Sequence, residues 1–396
     1  MFSPAVPDAV RSAIAHEQLP ALVVDLEAID ANAQSLLDRA HGMPIRVASK
    51  SVRIPELLRY VLNKPGFQGI LAYTLPEALA LFRDDISDDI LVAYPSVNTT
   101  ALTELADDPA ARAAICLMVD SPEHIALIAR HATDATPIRV CLDIDASWRP
   151  APGVHIGTRR SPAHSSADAV RLAKLVTDTP GLALSGIMMY EGHIAGVGDK
   201  GRSARSRLIR VMQRRSRAEL AKRREAIVTA VEKHSGPLEF VNGGGTGSFE
   251  STCVESAVTE VAAGSGFLAP TLFDGYRAFT LTPAAWFVVP VVRKPHRSIA
   301  TVAGGGRIAS GPAGADRLPT PVYPAGLKYV PDEGPGEVQT PLTGQAAKSL
   351  GIGDAVWFRH AKAGEIAEHA NETLIVAGGE IIHRWPTYRG KGLLFT

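Results

Sequence analysis

The stretch IRVASKS at 45–51 opens a series that decides the fold. It is a short β-rich run with no regular polar alternation, and seven more follow: GILAYT (69–74), DILVAYP (89–95), AAICLMVD (113–120), IRVCLDID (138–145), LSGIMMYEG (184–192), LEFVNGGG (238–245) and EVAAGSGF (260–267). Amphipathic stretches such as RIPELLRYVLNK, LPEALALFRDD, SPEHIALIARHA and SADAVRLAKLVTD stand between them. Strands buried on both faces and separated by helices are the pattern of parallel α/β units. Eight of them predict a closed (β/α)8 barrel rather than an open doubly wound sheet. After about residue 275 the texture changes to dense Pro and Gly with short β runs (AWFVVPVV, DAVWFRH, ETLIVAGG), the signature of a separate β domain. The expected division is an N-terminal segment at 1–29 that joins the β domain, the barrel at 30–275, and the C-terminal β domain at 276–396.

Composition narrows the function. Of 396 residues, 41 are basic and 41 acidic, so the formal charge is zero and a general polyanion binder, hence nucleic acid, is excluded as the main partner. Three widely spaced cysteines, Cys116, Cys141 and Cys253, argue against a disulfide scaffold and fit a reducing compartment. The opening MFSPAVPDAV does not read as a signal peptide, and no apolar run reaches the length of a membrane span. A soluble, cytoplasmic chain is expected. The arginine-crowded stretch from Lys200 to Arg224 reads as the solvated face of a barrel helix, with Leu208, Val211 and Leu220 turned inward.

Chemistry belongs at the C-terminal ends of the barrel strands. Lys50 sits there, directly after the first strand. A lysine in an apolar mouth is costly to desolvate as a cation, and a neutral amine of that kind can form a Schiff base. An ordinary strand-end lysine reaching solvent is the alternative. Glycines tilt the balance: Gly243, Gly244, Gly245, Thr246, Gly247 and Ser248 follow the seventh strand, and Gly264, Ser265 and Gly266 lie in the eighth. Bare glycine backbone presents N–H groups to an anion, and phosphate sites in these barrels recur after strands seven and eight. The run lacks the Gly-Lys-Ser/Thr ending of a P-loop, and Pro270 spoils the dinucleotide pattern of GSGFLA. A lysine after strand one facing a phosphate cup across the mouth is the geometry for pyridoxal 5′-phosphate.

With these residues, and with ALVVDLEAIDANAQSL, VASK, MYEGH, VNGGGTGS and DAVWFRHAKAGE, nearly the whole chain resembles the fold-type III pyridoxal-phosphate enzymes. It is most similar to their alanine-racemase-like branch, which holds D-threonine aldolase and D-serine dehydratase. The resemblance implies Lys50 as the internal aldimine lysine, Tyr190 near cofactor or substrate, and Arg149 near the pyridine ring or its hydroxyl. His193 would be catalytic or would order the following loop. Gly245, Thr246, Gly247, Ser248, Gly264 and Ser265 would supply phosphate contacts. A His-x-Cys or His-x-Asp metal pair in the β domain would correspond here to His360 and Lys362, and a lysine cannot ligate a cation. Either His360 holds a divalent metal with Glu365 or His369, or Lys362 replaces the metal with its own charge, which is the favoured reading. Met188 stands where the branch commonly carries glutamine. The implied protein is a homodimeric lyase acting on a β-hydroxy amino acid of D configuration, by aldol cleavage or dehydration. Alternatives are an amino-acid racemase, needing a second base such as Tyr276, Tyr323 or Tyr329, a non-catalytic pyridoxal-phosphate carrier, and a sugar-phosphate enzyme using the same cup.

Overall fold

The computed structural model describes residues 6–133 and 136–395, so the first five residues of the MFSPAVPDAV opening lie outside the described residues. Strand β1 (Ala21–Asp25) precedes eight parallel strands, β2 (Ile45–Ala48), β3 (Phe67–Ala72), β4 (Ile90–Val92), β5 (Ile115–Val119), β6 (Ile138–Asp143), β7 (Leu182–Met189), β8 (Phe240–Gly243) and β9 (Glu260–Ala263). Each is hydrogen-bonded to the next, and β9 returns to β2, so the barrel closes. All eight lie within or overlap the runs quoted above. The connecting helices begin where the sequence offers caps. Thr74 and Ser121 each accept an N–H from the first turn, and Ser165 with Asp168 forms a capping box.

The barrel interior is stacked in layers. At the lower, N-terminal end Arg46 meets Glu260 (2.8 Å) and Asp89 (2.9 Å), and Arg139 meets Glu239. Above them lies an apolar and sulfur-rich plug of Leu91, Cys116, Met118, Cys141, Met188 and Phe240. The glutamine-to-Met188 departure falls inside this plug. The top layer is the mouth described below.

Strands β10 (Ala285–His296), β11 (Ile299–Ala303), β12 (Thr320–Tyr323), β13 (Lys328–Tyr329), β14 (Gln339–Thr343), β15 (Ala355–Arg359), β16 (Glu372–Ala377) and β17 (Glu380–Pro386) form the second unit. Strand β1 enters this sheet between β10 (antiparallel) and β16 (parallel). One sheet face, with Leu22, Val24, Phe287 and Phe358, shares a core with the barrel helices, and the other packs Val23, Trp286 and Trp357 under the helix Asp8–Ala13.

The arginine-rich segment forms the 32-residue helix Ala204–Ser235. Leu220 is buried as expected, but Leu208 is 70% exposed and Val211 lies at the surface. The inward stripe starts only at Gln213 and Ser216 and runs through Leu220, Arg224, Ile227 and Val231. Those spacings of three and four are helical, but the stripe's first members are polar, which hid its phase.

Candidate active site at the barrel mouth

Lys50 sits on a short helical turn, Ser49–Ser51, directly after β2. Its side chain is exposed at the mouth rather than sealed in an apolar wall, and Nζ donates to the Tyr94 hydroxyl at 3.0 Å. The turn is pinned from behind. Arg53 adopts a left-handed backbone (φ 57°), donates Nε–H to the Lys50 carbonyl at 3.0 Å, and pairs with Glu368 at 2.8 Å. A non-glycine residue in that region is strained and persists only where its surroundings hold it.

Tyr94 and Tyr190 share a cation. The Arg160 guanidinium lies 5.3 Å from the Tyr94 ring centroid and 6.0 Å from that of Tyr190. Burial pushes the Tyr94 phenol up, but Lys50 and Arg160 outweigh it, so its pKa falls below the ordinary value. Burial and Glu191 push the Tyr190 phenol up to about 12. Asp143, at the upper end of β6, is raised to about 7 by burial and by Asp120, against the pull of Arg160.

Across the mouth, the glycine loop after β8 forms a cradle. A Cβ on Gly247 would stand 2.2 Å from the Ala195 carbonyl, and one on Gly264 would stand 2.4 Å from that of Ala48. One on Gly245 would press on Tyr190 at 3.1 Å. The N–H groups of Thr246 and Gly247 have no hydrogen-bond partner among the described residues. Ser265, whose hydroxyl meets that of Ser51 at 3.0 Å, opens a helical turn whose first N–H groups also lack partners within it. The cradle is held by groups that sequence reasoning missed. Glu191 is fully buried and accepts from Gly244 N–H (3.1 Å), Ser248 Oγ (2.8 Å), Thr252 Oγ1 (2.5 Å) and Arg224 (3.1 Å). Arg224, also fully buried, donates to the Met189 carbonyl as well. The signal was the acid in MYEGH, at the end of a barrel strand, opposite a helical arginine in phase with Leu220.

Several expected residues stand elsewhere. The Ser248 hydroxyl is spent on Glu191 and its N–H on the Gly245 carbonyl, so it shapes the loop rather than facing an anion. Arg149 binds Asp145 at 2.6 Å and Ser147 at 3.3 Å, while Arg160, eleven residues on, takes the place beside the two tyrosines. His193 is buried, its Nε2 on Ser216 Oγ at 2.5 Å and its Nδ1 against Gly157. Burial, with a minor push from Arg223, holds its pKa below the usual value. That is the environment of a residue ordering a loop.

The β domain reaches the same mouth. A Cβ on Gly364 would meet the Lys50 carbonyl at 2.1 Å. Lys362 Nζ donates to Ser310 Oγ (2.9 Å) and Ser310 O (3.1 Å). Burial first, then Lys50 and Arg317, lower its pKa, and Tyr94 and Glu365 oppose the shift. His360 is buried, and burial followed by Arg359 pushes its imidazole down to about 3. Among the described residues no three His, Cys, Asp or Glu side chains stand together in a position to hold a metal ion. Glu365 turns to the Ser310 N–H, and His369 lies with Arg307 and Arg389. With Lys362 at the pair's second position, these residues do not fit a divalent metal.

A parallel barrel with a lysine at its mouth, a glycine cradle opposite and a β domain packed against the lysine's turn defines the fold-type III class. The chain matches the family described as alanine racemase, N-terminal domain, over residues 24–266, and belongs to it. It is 28% identical over 265 residues to a 3-hydroxy-D-aspartate aldolase of Paracoccus denitrificans, covering 66% of this chain and 62% of that protein. It is 26% identical over 260 residues to a D-threonine aldolase of Arthrobacter sp, covering 64% and 61%. The chain thus matches only about three fifths of these relatives' length. In fold it is similar to the D-threonine aldolase of Filomicrobium marinum (TM-score 0.78, 20% identity, 96% of each chain). It also resembles the D-threo-3-hydroxyaspartate dehydratase of Delftia sp. HT23 (TM-score 0.69, 18% identity, 95% and 98%). The family implies pyridoxal phosphate, and the unpartnered N–H groups of Thr246 and Gly247, on a loop that tolerates no side chain at Gly247, fit the phosphate of that group. No helix among the described residues is long and apolar enough to cross a membrane.

Proposed function

We propose that this protein is a pyridoxal-phosphate-dependent lyase acting on a β-hydroxy amino acid of D configuration, by aldol cleavage or dehydration. The observation that carries the reading is the Lys50 amine on the Tyr94 hydroxyl, facing the Gly245–Gly247 and Gly264–Ser265 cradle. Lys50 would hold the cofactor, with Arg160 rather than Arg149 beside its ring and Thr246, Gly247 and Ser265 on its phosphate. Bound there, the cofactor supplies an electron sink for charge developing at Cα. Lys50 Nζ and Tyr94 Oη, joined by a hydrogen bond of 3.0 Å, would move the proton at Cα. Lys362 stands where relatives of this branch place a metal. Its ammonium, oriented by Ser310, would set a positive charge against the substrate's β-hydroxyl oxygen in place of the metal's. Tyr190 covers the reacting face, and His193 acts as a positioning residue through Ser216.

Racemisation needs a second base. Tyr276 spends its hydroxyl on the Ala195 carbonyl and Tyr329 on that of Pro319, and Tyr323 packs on the sheet face turned from the barrel. The nine-stranded β domain over the mouth counts against a carrier, and Lys50 at the mouth against a sugar-phosphate enzyme. The proposal extends to a homodimer, on the family's habit of closing one mouth with the neighbour's β domain. It extends also to a cytoplasmic location, which free Cys116, Cys141 and Cys253 favour. The units run 1–29, 30–275 and 276–396. Borohydride reduction followed by peptide mass mapping tests the reading. A pyridoxyl mass on the Lys50 peptide is expected, and a mass elsewhere, or none, overturns it.

A further inference from the structure

A cavity of about 780 Å³ lies on the β domain, lined by none of the residues placed at the Lys50 mouth or in the glycine cradle. It is lined by the start of β1, by the segment leading into β16 and by the end of β17. Arg307 reaches into it from the loop after β11. Its guanidinium carbon lies 4.3 Å from the centroid of the Phe287 ring, and one nitrogen, Nη1, is sealed from solvent on the side away from the cavity without a hydrogen-bond partner. No acidic side chain pairs with it among the described residues, and burial alone pushes its pKa down to about 10.

A second cation without an acid partner among the described residues, Arg389, lines the same cavity. His369 stands close to both, since after burial itself they are the groups that depress its pKa. The two acids on the rim are already taken: Arg384 binds Glu17 at 2.6 Å and Glu372 at 3.0 Å. Glu365 and Glu368, which act on His369 from the other side, are held by the Ser310 N–H and by Arg53. Two positive charges without acid partners among the described residues therefore line a space large enough for a small molecule. A half-buried guanidinium with no acid opposite it readily takes an anion.

We propose that this cavity is a binding site for a small dianion of phosphate or dicarboxylate type, gripped by the guanidinium groups of Arg307 and Arg389 with His369 beside them. The guanidinium of Arg307, backed by the Phe287 ring, offers its remaining N–H groups to one phosphate or carboxylate.

Isothermal titration of the full-length protein, with its cofactor loaded, by inorganic phosphate and separately by succinate tests the site. Saturable binding of one or both at about one per chain is expected, and the two arms tell a phosphate from a dicarboxylate. Arg307→Gln should weaken it about tenfold or more, and Arg389→Gln, at an exposed position where folding is not at stake, severalfold. Cofactor absorbance should stay constant through the titration. No saturable binding of either anion, equal affinity in both variants, or an absorbance change reporting displacement at the glycine cradle would each overturn the proposal. A failure of the lyase reading would appear instead in the Lys50 peptide.

Discussion

The two ends of the barrel are built from the same residue types to opposite purposes. At the lower end Arg46 is buried between Glu260 and Asp89, and Asn242 donates to Glu260, so each of these charges is met. Burial alone would lower the Arg46 pKa, yet the two acids outweigh it and raise it. At the upper end the charges are unspent. Lys50 rests on a phenol, Arg160 on two aromatic rings, Lys362 on a serine, and Asp143 is held near neutrality. Paired charges specify the fold, whereas charges left without partners are available to a ligand.

Substitutions at the two ends should separate these purposes. Lys50→Ala should cut turnover of D-threonine by about 10³-fold or more, with thermal unfolding nearly unchanged, since the side chain is exposed. Arg46→Ala should do the reverse. Leaving Glu260 buried and unpaired should cost about 3–5 kcal/mol in urea unfolding, while molecules that stay folded keep their cofactor absorbance. A comparable effect on absorbance would erase the distinction.

Lys362→Met sharpens the comparison within the mouth. It should lower kcat by about 10²-fold with little change in cofactor affinity, because it removes a positive charge facing the substrate and no contact of the cradle. Asp143 tests the electrostatics by pH. Its carboxyl is held near 7 in the folded chain and lies near the ordinary value unfolded, so the native state binds the proton more tightly. Its favourable contribution is complete below about pH 4 and is lost as pH rises towards 7. Asp143→Asn should therefore raise Tm most at about pH 8 and leave it unchanged near pH 4. The smallest effect belongs to Arg149→Ala, expected within a few-fold of wild type, against about 10²-fold for Arg160→Ala.

The barrel was legible because eight unalternating runs and their helix caps are local signals, readable without knowing what packs where. Lys50 and the glycine loops were legible for the same reason, being fixed by strand ends. What escaped reading depends on three-dimensional partners. Arg224 looks like its exposed neighbours on the helix, and its burial rests on Glu191, 33 positions earlier, and Glu255, 31 positions later. Arg149 and Arg160 lie in one loop after β6, and composition cannot say which turns inward and which returns to Asp145. Ser248 reads as an anion contact until Glu191 is seen to claim its hydroxyl.

Proton NMR of the purified protein with D-threonine tests the central claim most directly. The account predicts that the threonine Cβ signals disappear, into glycine and acetaldehyde for cleavage or into 2-oxobutanoate for dehydration, and that Lys50→Ala stops it. Threonine intact at Cβ while its Cα proton exchanges with solvent would contradict the lyase and restore the racemase.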